Sequence, residues 1–264
     1  MALQTTLRSL ALFMGKYWKK DTGPRILCYH GVQSRPENKW SVTPKQFDEQ
    51  MEWVASECHP VSVSEIVAWV RGETELPANA VAVTFDDGFL DVYENAAPIL
   101  EKYAVPAAAF IPTGCIESHE HAFHPERSFM SWDQIKQLSD NGWEVGSHTR
   151  THRVLASLDA DALKEELQSS KKELEEHLSK EISLLAYPYG LPSSISEQVI
   201  QLAKEAGYQA AFMNTIGSMH PHSDLMTINR SKVLGTDTFG IFQGSLDGGM
   251  DLWNYVEKLP LRRK

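Results

Sequence analysis

Short apolar segments alternate with helical segments about seven times along this chain of 264 residues. Thr43 and Pro44 have the residue types that begin a helix, and Gly142 and Gly207 have the type that ends one. This alternation is typical of parallel strands, closed into a barrel or doubly wound, and the length suits one large domain. The predicted strands span 25–30, 81–85, 107–111, 143–147, 184–187, 209–213 and 227–233, and the predicted helices span 44–57, 64–70, 91–103, 132–141, 159–178 and 194–206.

Reactive side chains follow several of the predicted strands at their C-terminal ends. His30 ends the first strand, Asp86 and Asp87 follow the second, His148 follows the fourth, and Tyr189 lies just after the fifth. Active sites of α/β barrels lie at this end of the strands. The sequence therefore predicts one active site to which several strands contribute.

Four of these polar residues have the composition of a metal site with a base beside it. Asp86 and Asp87 are adjacent carboxylates, and His148 and His152 are imidazoles four positions apart. If residues 148–152 form a helical turn, both rings project from one face. Two histidines and one aspartate leave a fourth position for water, as in catalytic zinc sites, and the second carboxylate can act as a general base. Capping carboxylates and core histidines are the alternative, disfavoured because adjacent buried acids repel each other.

Composition limits which partners the protein can bind and where in the cell it is expected. A net charge of −10 gives no sign of nucleic-acid binding, which requires a basic face. Cys28, Cys58 and Cys115 are odd in number and lack C-x-x-C spacing, which indicates a reducing compartment. We find no apolar run near the ~18 residues of a membrane span and no secretory signal, so the expected location is cytoplasmic.

The first residues form a separate feature, and we divide the chain into an N-terminal amphipathic helix, residues 1–22, and a catalytic domain, residues 23–264. Two interpretations remain open for the helix: it packs on the domain, or it lies on the inner face of a membrane. Its apolar residues at helical spacing are Leu3, Leu7, Leu10, Met14 and Trp18, and its basic residues are Arg8, Lys16, Lys19 and Lys20.

Three motifs in this order give the chain a family resemblance. Thr84–Gly88 reads Thr-Phe-Asp-Asp-Gly, His148–His152 reads His-Thr-Arg-Thr-His, and Tyr187–Gly190 reads Tyr-Pro-Tyr-Gly. Over roughly residues 25–235 the chain resembles the polysaccharide deacetylase family, also called NodB-homology or carbohydrate esterase 4. The resemblance implies a single-domain, distorted (β/α)7 barrel. It also implies a divalent metal, usually zinc, and hydrolysis of an N-acetyl amide on an amino sugar.

The resemblance also implies a role for each matching residue. Asp86 matches the catalytic base, and Asp87, His148 and His152 match the metal ligands. Tyr189 matches the residue whose backbone N–H stabilises the oxyanion. No other cofactor is implied.

Two family features are missing from the expected positions. Ala186 stands where the family has an arginine that buttresses the base, and no Leu-x-His follows residue 208 to supply an acid. His220 and His222 lie in a loop-like, proline-containing stretch. However, His30 at the first strand resembles the circularly permuted branch that deacetylates exopolysaccharides such as poly-N-acetylglucosamine, in which the acid histidine comes from that strand.

Three functions are therefore consistent with the sequence. The first is an N-deacetylase of an amino-sugar saccharide, which can be a lipid-linked precursor at the membrane face. The second is a related metal-dependent amidase that acts on a formamide or cyclic imide. The third is a non-catalytic carbohydrate-binding relative, suggested by Ala186 in place of arginine. The sugar, its linkage and the oligomeric state are not encoded in these motifs.

Overall fold

The computed structural model describes residues 2–15, 23–36, 38–117, 124 and 126–253, and only the backbone of residues 2–5. The strands within these ranges are short, and nearly all of their residues are buried, as expected for a parallel sheet covered on both faces. They are β1 (Arg25–Tyr29), β2 (Gly31–Val32), β3 (Ser41–Val42), β4 (His59–Pro60), β5 (Ala80–Phe85), β6 (Ala107–Ile111), β7 (Glu144–Ser147), β8 (Leu184–Ala186), β9 (Ala210–Phe212) and β10 (Ser231–Lys232).

Seven parallel strands form a curled sheet in the order β10–β1–β5–β6–β7–β8–β9, and β4 pairs additionally with β5. One segment links the two edges of this sheet. Ile228 pairs with Phe212 of β9, while Ser231 and Lys232 pair with β1. The sheet is therefore a distorted (β/α)7 barrel, as predicted, and the carboxyl ends of its strands share one rim.

Most of the helices cover the outside of this sheet, and several begin with a reciprocal cap. At Thr43, Ser62 and Ser131 the side chain accepts a hydrogen bond from the backbone N–H three residues later. The side chain of that later residue accepts one from the backbone N–H of the capping residue. The helices are α1 (Ala2–Gly15), α2 (Pro44–Glu57), α3 (Val63–Val70), α4 (Ala97–Tyr103), α5 (Trp132–Asp140), α6 (Ala160–Lys164), α7 (Ser170–Leu178), α8 (Glu197–Glu205) and α9 (Phe239–Leu246).

Some predicted boundaries are wrong. The cap of α3 is Ser62 rather than Ser64, because only Ser62 has Glu65 three residues later to complete the reciprocal cap. The predicted helices 91–103 and 159–178 each contain a π-helical turn, at Val92–Ala96 and Glu165–Ser169. Helix α9 lies beyond the last predicted helix, and four of its eight residues are buried.

Successive strand residues divide between two buried layers. One set packs with α3 and lines the barrel interior: Ile26, Ala82, Ala108, Phe110, Ala186, Ala210 and Phe212. The other set packs with the outer helices: Leu27, Val81, Val83, Ala109, Ile111, Leu185 and Ala211. Because four of the interior residues are alanines, the interior has room for a long polar side chain.

Helix α1 packs on the barrel through one face and exposes another. Arg8 is 1% exposed and donates a hydrogen bond from Nη2 to Asp237 Oδ2 at 2.8 Å. Leu10, Phe13 and Met14 are 52%, 59% and 51% exposed. Arg8, one of the basic residues of this amphipathic helix, is therefore buried, because its guanidinium pairs with Asp237. Residues 16–22, including the boundary proposed at 22/23, lie outside the described part.

In the part of the chain that the structure describes, no helix combines the length and the apolar composition needed to cross a membrane.

Candidate active site

The turn after β5 places two buried carboxylates on the barrel rim. Asp86 continues the strand, since its N–H donates to Tyr29 O at 2.9 Å, and Asp87 then turns with a φ of +75°. A left-handed conformation costs a non-glycine residue about 1–3 kcal/mol and persists where the surrounding structure enforces it. Because the chain turns between them, the adjacent carboxylates enter different environments.

Asp87 meets both histidines of the second motif. Its Oδ1 lies 3.5 Å from His148 Nε2 and 3.4 Å from His152 Nε2. In a tetrahedron of ligands about 2.0–2.1 Å from zinc, neighbouring ligand atoms are about 3.4 Å apart. Asp87 Oδ1 is buried and has no hydrogen-bond partner among the described residues. This group of three side chains therefore fits the divalent metal of the resembling family.

The hydrogen bonds and charges around Asp87, His148 and His152 favour the binding of a cation. His148 Nδ1–H donates to Ala186 O at 2.7 Å, which leaves Nε2 with its lone pair toward Asp87. Burial opposes the charge of Asp87, but the adjacent imidazoles outweigh it and lower the pKa of this carboxyl. Burial also lowers the pKa of His152 to about 4, although Asp87 opposes the shift. At neutral pH, His152 is therefore a neutral ligand.

The helical turn considered for residues 148–152 is not formed. The segment is a loop in which Thr149 and His152 have φ values of +64° and +55°. The two imidazole rings nevertheless lie 4.8 Å apart between centroids. A reversal of the chain, rather than helical spacing, brings the two histidines together.

Asp86 binds a cation that the sequence analysis did not identify. Arg230 Nη1 and Nη2 donate to Asp86 Oδ1 and Oδ2, each at 2.7 Å, and Arg230 is 1% exposed. Its Nε–H donates to Met213 O at 2.9 Å, and its guanidinium carbon lies 5.2 Å from the centre of the Phe110 ring. Burial alone would raise the pKa of Asp86, but Arg230 lowers it, so the carboxyl is ionised at neutral pH.

Arg230 thus buttresses Asp86 from the segment between β9 and β1, whereas Ala186 lies on β8. Ala186 lies in the interior layer, as Phe110 does, and its small side chain leaves space there. Two signals could have identified Arg230: an arginine within an otherwise strand-like segment, and the need of a buried carboxylate for a cation.

His30 lies beside Asp86, at the same end of the barrel, as its position after the first strand predicts. One donor atom each from Cys28, His30 and Asp86 lies within 4.8 Å of the others. Burial lowers the pKa of His30, and this effect exceeds the opposing influence of Asp87 and Asp86. Burial therefore favours the neutral imidazole over the charged one.

The contacts of Asp86 disfavour a second metal centre at these three residues. Both oxygens of Asp86 accept hydrogen bonds from Arg230, and the Cys28 thiol lies 3.4 Å from Oδ2. A second cation would have to displace the guanidinium.

Tyr189 lies next to His152 at the mouth of the site. Its ring centroid is 5.0 Å from that of His152, its side chain is 52% exposed, and its φ is +63°. Among the described residues, none accepts a hydrogen bond from its backbone N–H. The N–H is thus available to a ligand, which agrees with the oxyanion role that the resemblance implies.

His222 lies away from this group. Its N–H donates to Val70 O at 2.6 Å, and its ring lies so close to Gly72 that a Cβ added there would be 2.9 Å from it. Val70 and Gly72 precede β5, whereas Asp86 follows it, so His222 is at the opposite end of the barrel.

Comparisons with known proteins agree with this geometry. The sequence model of the family described as "Polysaccharide deacetylase" matches residues 73–211. The poly-beta-1,6-N-acetyl-D-glucosamine N-deacetylase of Staphylococcus aureus is 28% identical over 206 residues, which cover 74% of this chain and 69% of that protein.

Two solved structures have the same fold. IcaB from Ammonifex degensii has a TM-score of 0.75 and 25% identity, with 88% of this chain and 98% of that chain covered. The Streptococcus pyogenes deacetylase PplD, solved in complex with acetate, has a TM-score of 0.71 and 25% identity, with 90% and 98% covered.

Proposed function

This chain belongs to the polysaccharide deacetylase family, and we propose that Asp87, His148 and His152 bind its divalent metal, most simply Zn²⁺, beside the general base Asp86. The protein is a carbohydrate N-deacetylase, a hydrolase that cleaves the N-acetyl amide of amino sugars in a polysaccharide. One observation supports the site assignment above all others. The Nε2 atoms of His148 and His152 lie 3.5 and 3.4 Å from Asp87 Oδ1, next to the carboxylate of Asp86, which Arg230 keeps ionised.

The two carboxylates have separate tasks in this proposal. A bound divalent metal supplies Lewis acidity toward the amide carbonyl and the attacking water. Asp86 accepts the proton of that water, because Arg230 holds it ionised and directs its oxygens. Asp87 cannot take this task, since its Oδ1 faces the two imidazoles.

The leaving nitrogen requires a proton, and we assign its delivery to His30. Because burial keeps His30 mostly neutral, the proton comes from Asp86, which has taken it from the water. A carboxylate oxygen of Asp86 and a ring nitrogen of His30 lie within 4.8 Å of each other, so one bridging water completes the transfer. The backbone N–H of Tyr189 donates to the oxygen that becomes negative during the attack.

Acetate release from N-acetylglucosamine oligomers tests this function directly. The substrates are β-1,6- and β-1,4-linked oligomers, free and lipid-linked, with the metal-reconstituted protein. Acetate release that requires metal is the expected result, and β-1,6 linkage is the expected preference from the Staphylococcus aureus relative. Turnover of formamides or cyclic imides alone would favour the related amidase. Metal binding without any turnover would favour a carbohydrate-binding protein. That hypothesis was suggested by Ala186 in place of arginine, and Arg230 now accounts for the missing cation.

We further propose that the enzyme contacts the inner face of an anionic membrane through α1, as a cytoplasmic enzyme acting near lipid-linked glycans. The exposed Leu10, Phe13 and Met14 support lipid contact, and the basic Lys16, Lys19 and Lys20 follow them in sequence. The three cysteines are not joined by a disulfide, which supports a reducing compartment.

Replacing Leu10, Phe13 and Met14 with serine is expected to weaken binding to phosphatidylglycerol vesicles about tenfold or more, because each apolar side chain gains from leaving water. Vesicle cosedimentation measures the effect, and Ser9→Ala on the same helix is the control. Turnover of a soluble oligomer should stay unchanged. Equal binding of the triple variant and the wild type would contradict the proposal. Deleting residues 2–19 is a poorer test, because it removes the cation that pairs with buried Asp237.

His30→Ala is expected to retain metal and slow hydrolysis of an acetamide by ~10²-fold or more, since an amine leaves poorly without a proton. An activated ester, whose leaving group needs no proton, should be much less affected. The measurement is kcat/KM for both substrates, with His222→Ala as a control at the other end of the barrel. Equal slowing of both substrates, or of neither, would remove His30 from this role.

A further inference from the structure

We propose that Glu166 is a positioning residue of the metal centre, which fixes the loop that carries His152. The proposal rests on the proposed metal site. Glu166 is only 5% exposed although it belongs to the most highly charged helical segment of the chain. Its Oε2 accepts the backbone N–H groups of Arg150 and Thr151 at 2.9 and 2.8 Å, and its Oε1 accepts a hydrogen bond from the Thr151 hydroxyl.

The loop needs such support because its own conformation is unfavourable. Thr149 and His152, on either side of the bonded N–H groups, are both in the left-handed region. Neither is glycine, so the surrounding structure must enforce this backbone. Charge-assisted hydrogen bonds from backbone N–H groups to a carboxylate are short and strong, and Glu166 makes two of them at the centre of the loop.

The π-helical turn between α6 and α7 presents Glu166 together with a second contact to the same loop. Ser170, four residues later, donates from Oγ to Thr149 O at 3.0 Å and pairs with Ser147 Oγ at 2.7 Å. Ser147 Oγ accepts the N–H of Thr149 at 3.0 Å. The helix thus binds the loop on both sides of Arg150. π-helical turns are often found at functional sites, and this one faces the loop that carries His148 and His152.

The carboxylate of Glu166 accepts hydrogen bonds from these N–H groups rather than pairing with a cation. In the described residues it forms no ion pair, whereas its neighbours Glu165 and Glu173 lie 3.6 and 3.1 Å from the Arg150 side chain. A buried carboxylate without a cation is costly to the fold. The buried position of Glu166 is explained if the metal site requires this conformation of the loop between His148 and His152.

Zinc affinity of the full chain, measured by competition with a chromophoric chelator, tests the proposal. Glu166→Gln removes the charge and one acceptor but keeps the side-chain size. We expect its Kd for Zn²⁺ to rise ~10- to 100-fold, the effect typical of groups that orient metal ligands. Glu173→Gln, on the same helix, contacts only the Arg150 side chain and should change Kd less than about twofold.

The outcomes separate this inference from a purely structural role and from the metal assignment. A structural role would lower the Tm of the metal-free variant and leave the Kd of the folded protein within about twofold, which would overturn the proposal. If Glu166→Gln does not fold, Ser170→Ala decides: a Kd raised about threefold or more supports control of the loop, and an unchanged Kd overturns it. Failure of the wild type to bind zinc would instead refute the metal site itself.

Discussion

Asp86→Asn is expected to lower kcat on an N-acetylated oligomer by ~10²–10⁴-fold while the protein still binds one equivalent of metal. Asparagine keeps the shape of the side chain but cannot accept the proton of the attacking water. The metal should remain, because the three ligand atoms belong to Asp87, His148 and His152. Activity must be expressed per folded molecule, since the variant leaves the buried Arg230 without its anion.

Asp87→Ala and His148→Ala provide the contrasting result. Each removes a ligand from a set of three, so we expect loss of stoichiometric metal together with nearly all turnover. Metal analysis after dialysis, with kcat on the same samples, distinguishes the two classes. A fall below about tenfold in Asp86→Asn would reject Asp86 as the base. Normal metal content in either ligand variant would show that the triad is misassigned.

The sequence predicts these residues because each stands next to a strand that can be recognised locally. Asp86 and Asp87 follow an apolar run, and His148 follows another, so the parallel-barrel rule places them on one rim. No distant contact has to be known for this step. The fold class and the identity of the candidate ligands therefore follow from local pattern.

Geometry that depends on distant contacts is not predictable in this way. The spacing of His148 and His152 fits a helical turn, yet the chain forms a strained loop. The loop is fixed by Glu166, 14 residues after His152 in the numbering, and the charge run containing Glu166 resembles a solvated face. Only the packed structure shows that one glutamate of that run is buried.

Helix α1 illustrates the same limit. Its spacing predicts one apolar stripe, and the sequence analysis treats packing and membrane contact as alternatives. In the structure Arg8 packs inward, because buried Asp237 lies 229 residues away in sequence and only 2.8 Å away in space. Leu10 and Met14, from the predicted stripe, remain exposed. One helix therefore packs on the domain and still presents an apolar face.

Arg230→Met is expected to destabilise the protein by about 3–5 kcal/mol at neutral pH, because it leaves the buried carboxylate of Asp86 without a cation. Methionine fills similar space between Phe110 and Phe212, so loss of charge dominates. Urea unfolding measures the effect, and Arg71→Gln, a cation bound to Gln209 in a solvent-exposed contact, is the control with a much smaller loss. A loss below about 1 kcal/mol would show that Asp86 does not depend on this guanidinium.

The pH dependence of the Arg230→Met variant has a definite sign. In the wild type Arg230 lowers the pKa of Asp86, so this pair stabilises the fold at neutral pH and loses its contribution only as pH falls through the lowered value. Without Arg230, burial raises the pKa of Asp86 instead, and the carboxyl takes up a proton at higher pH. The stability deficit of the variant should therefore shrink on acidification, and the acid limb of its kcat/KM profile should move to higher pH. Adding Asp86→Asn to Arg230→Met should restore part of the lost stability, since it removes the unpaired buried charge, whereas two independent sites would add their losses.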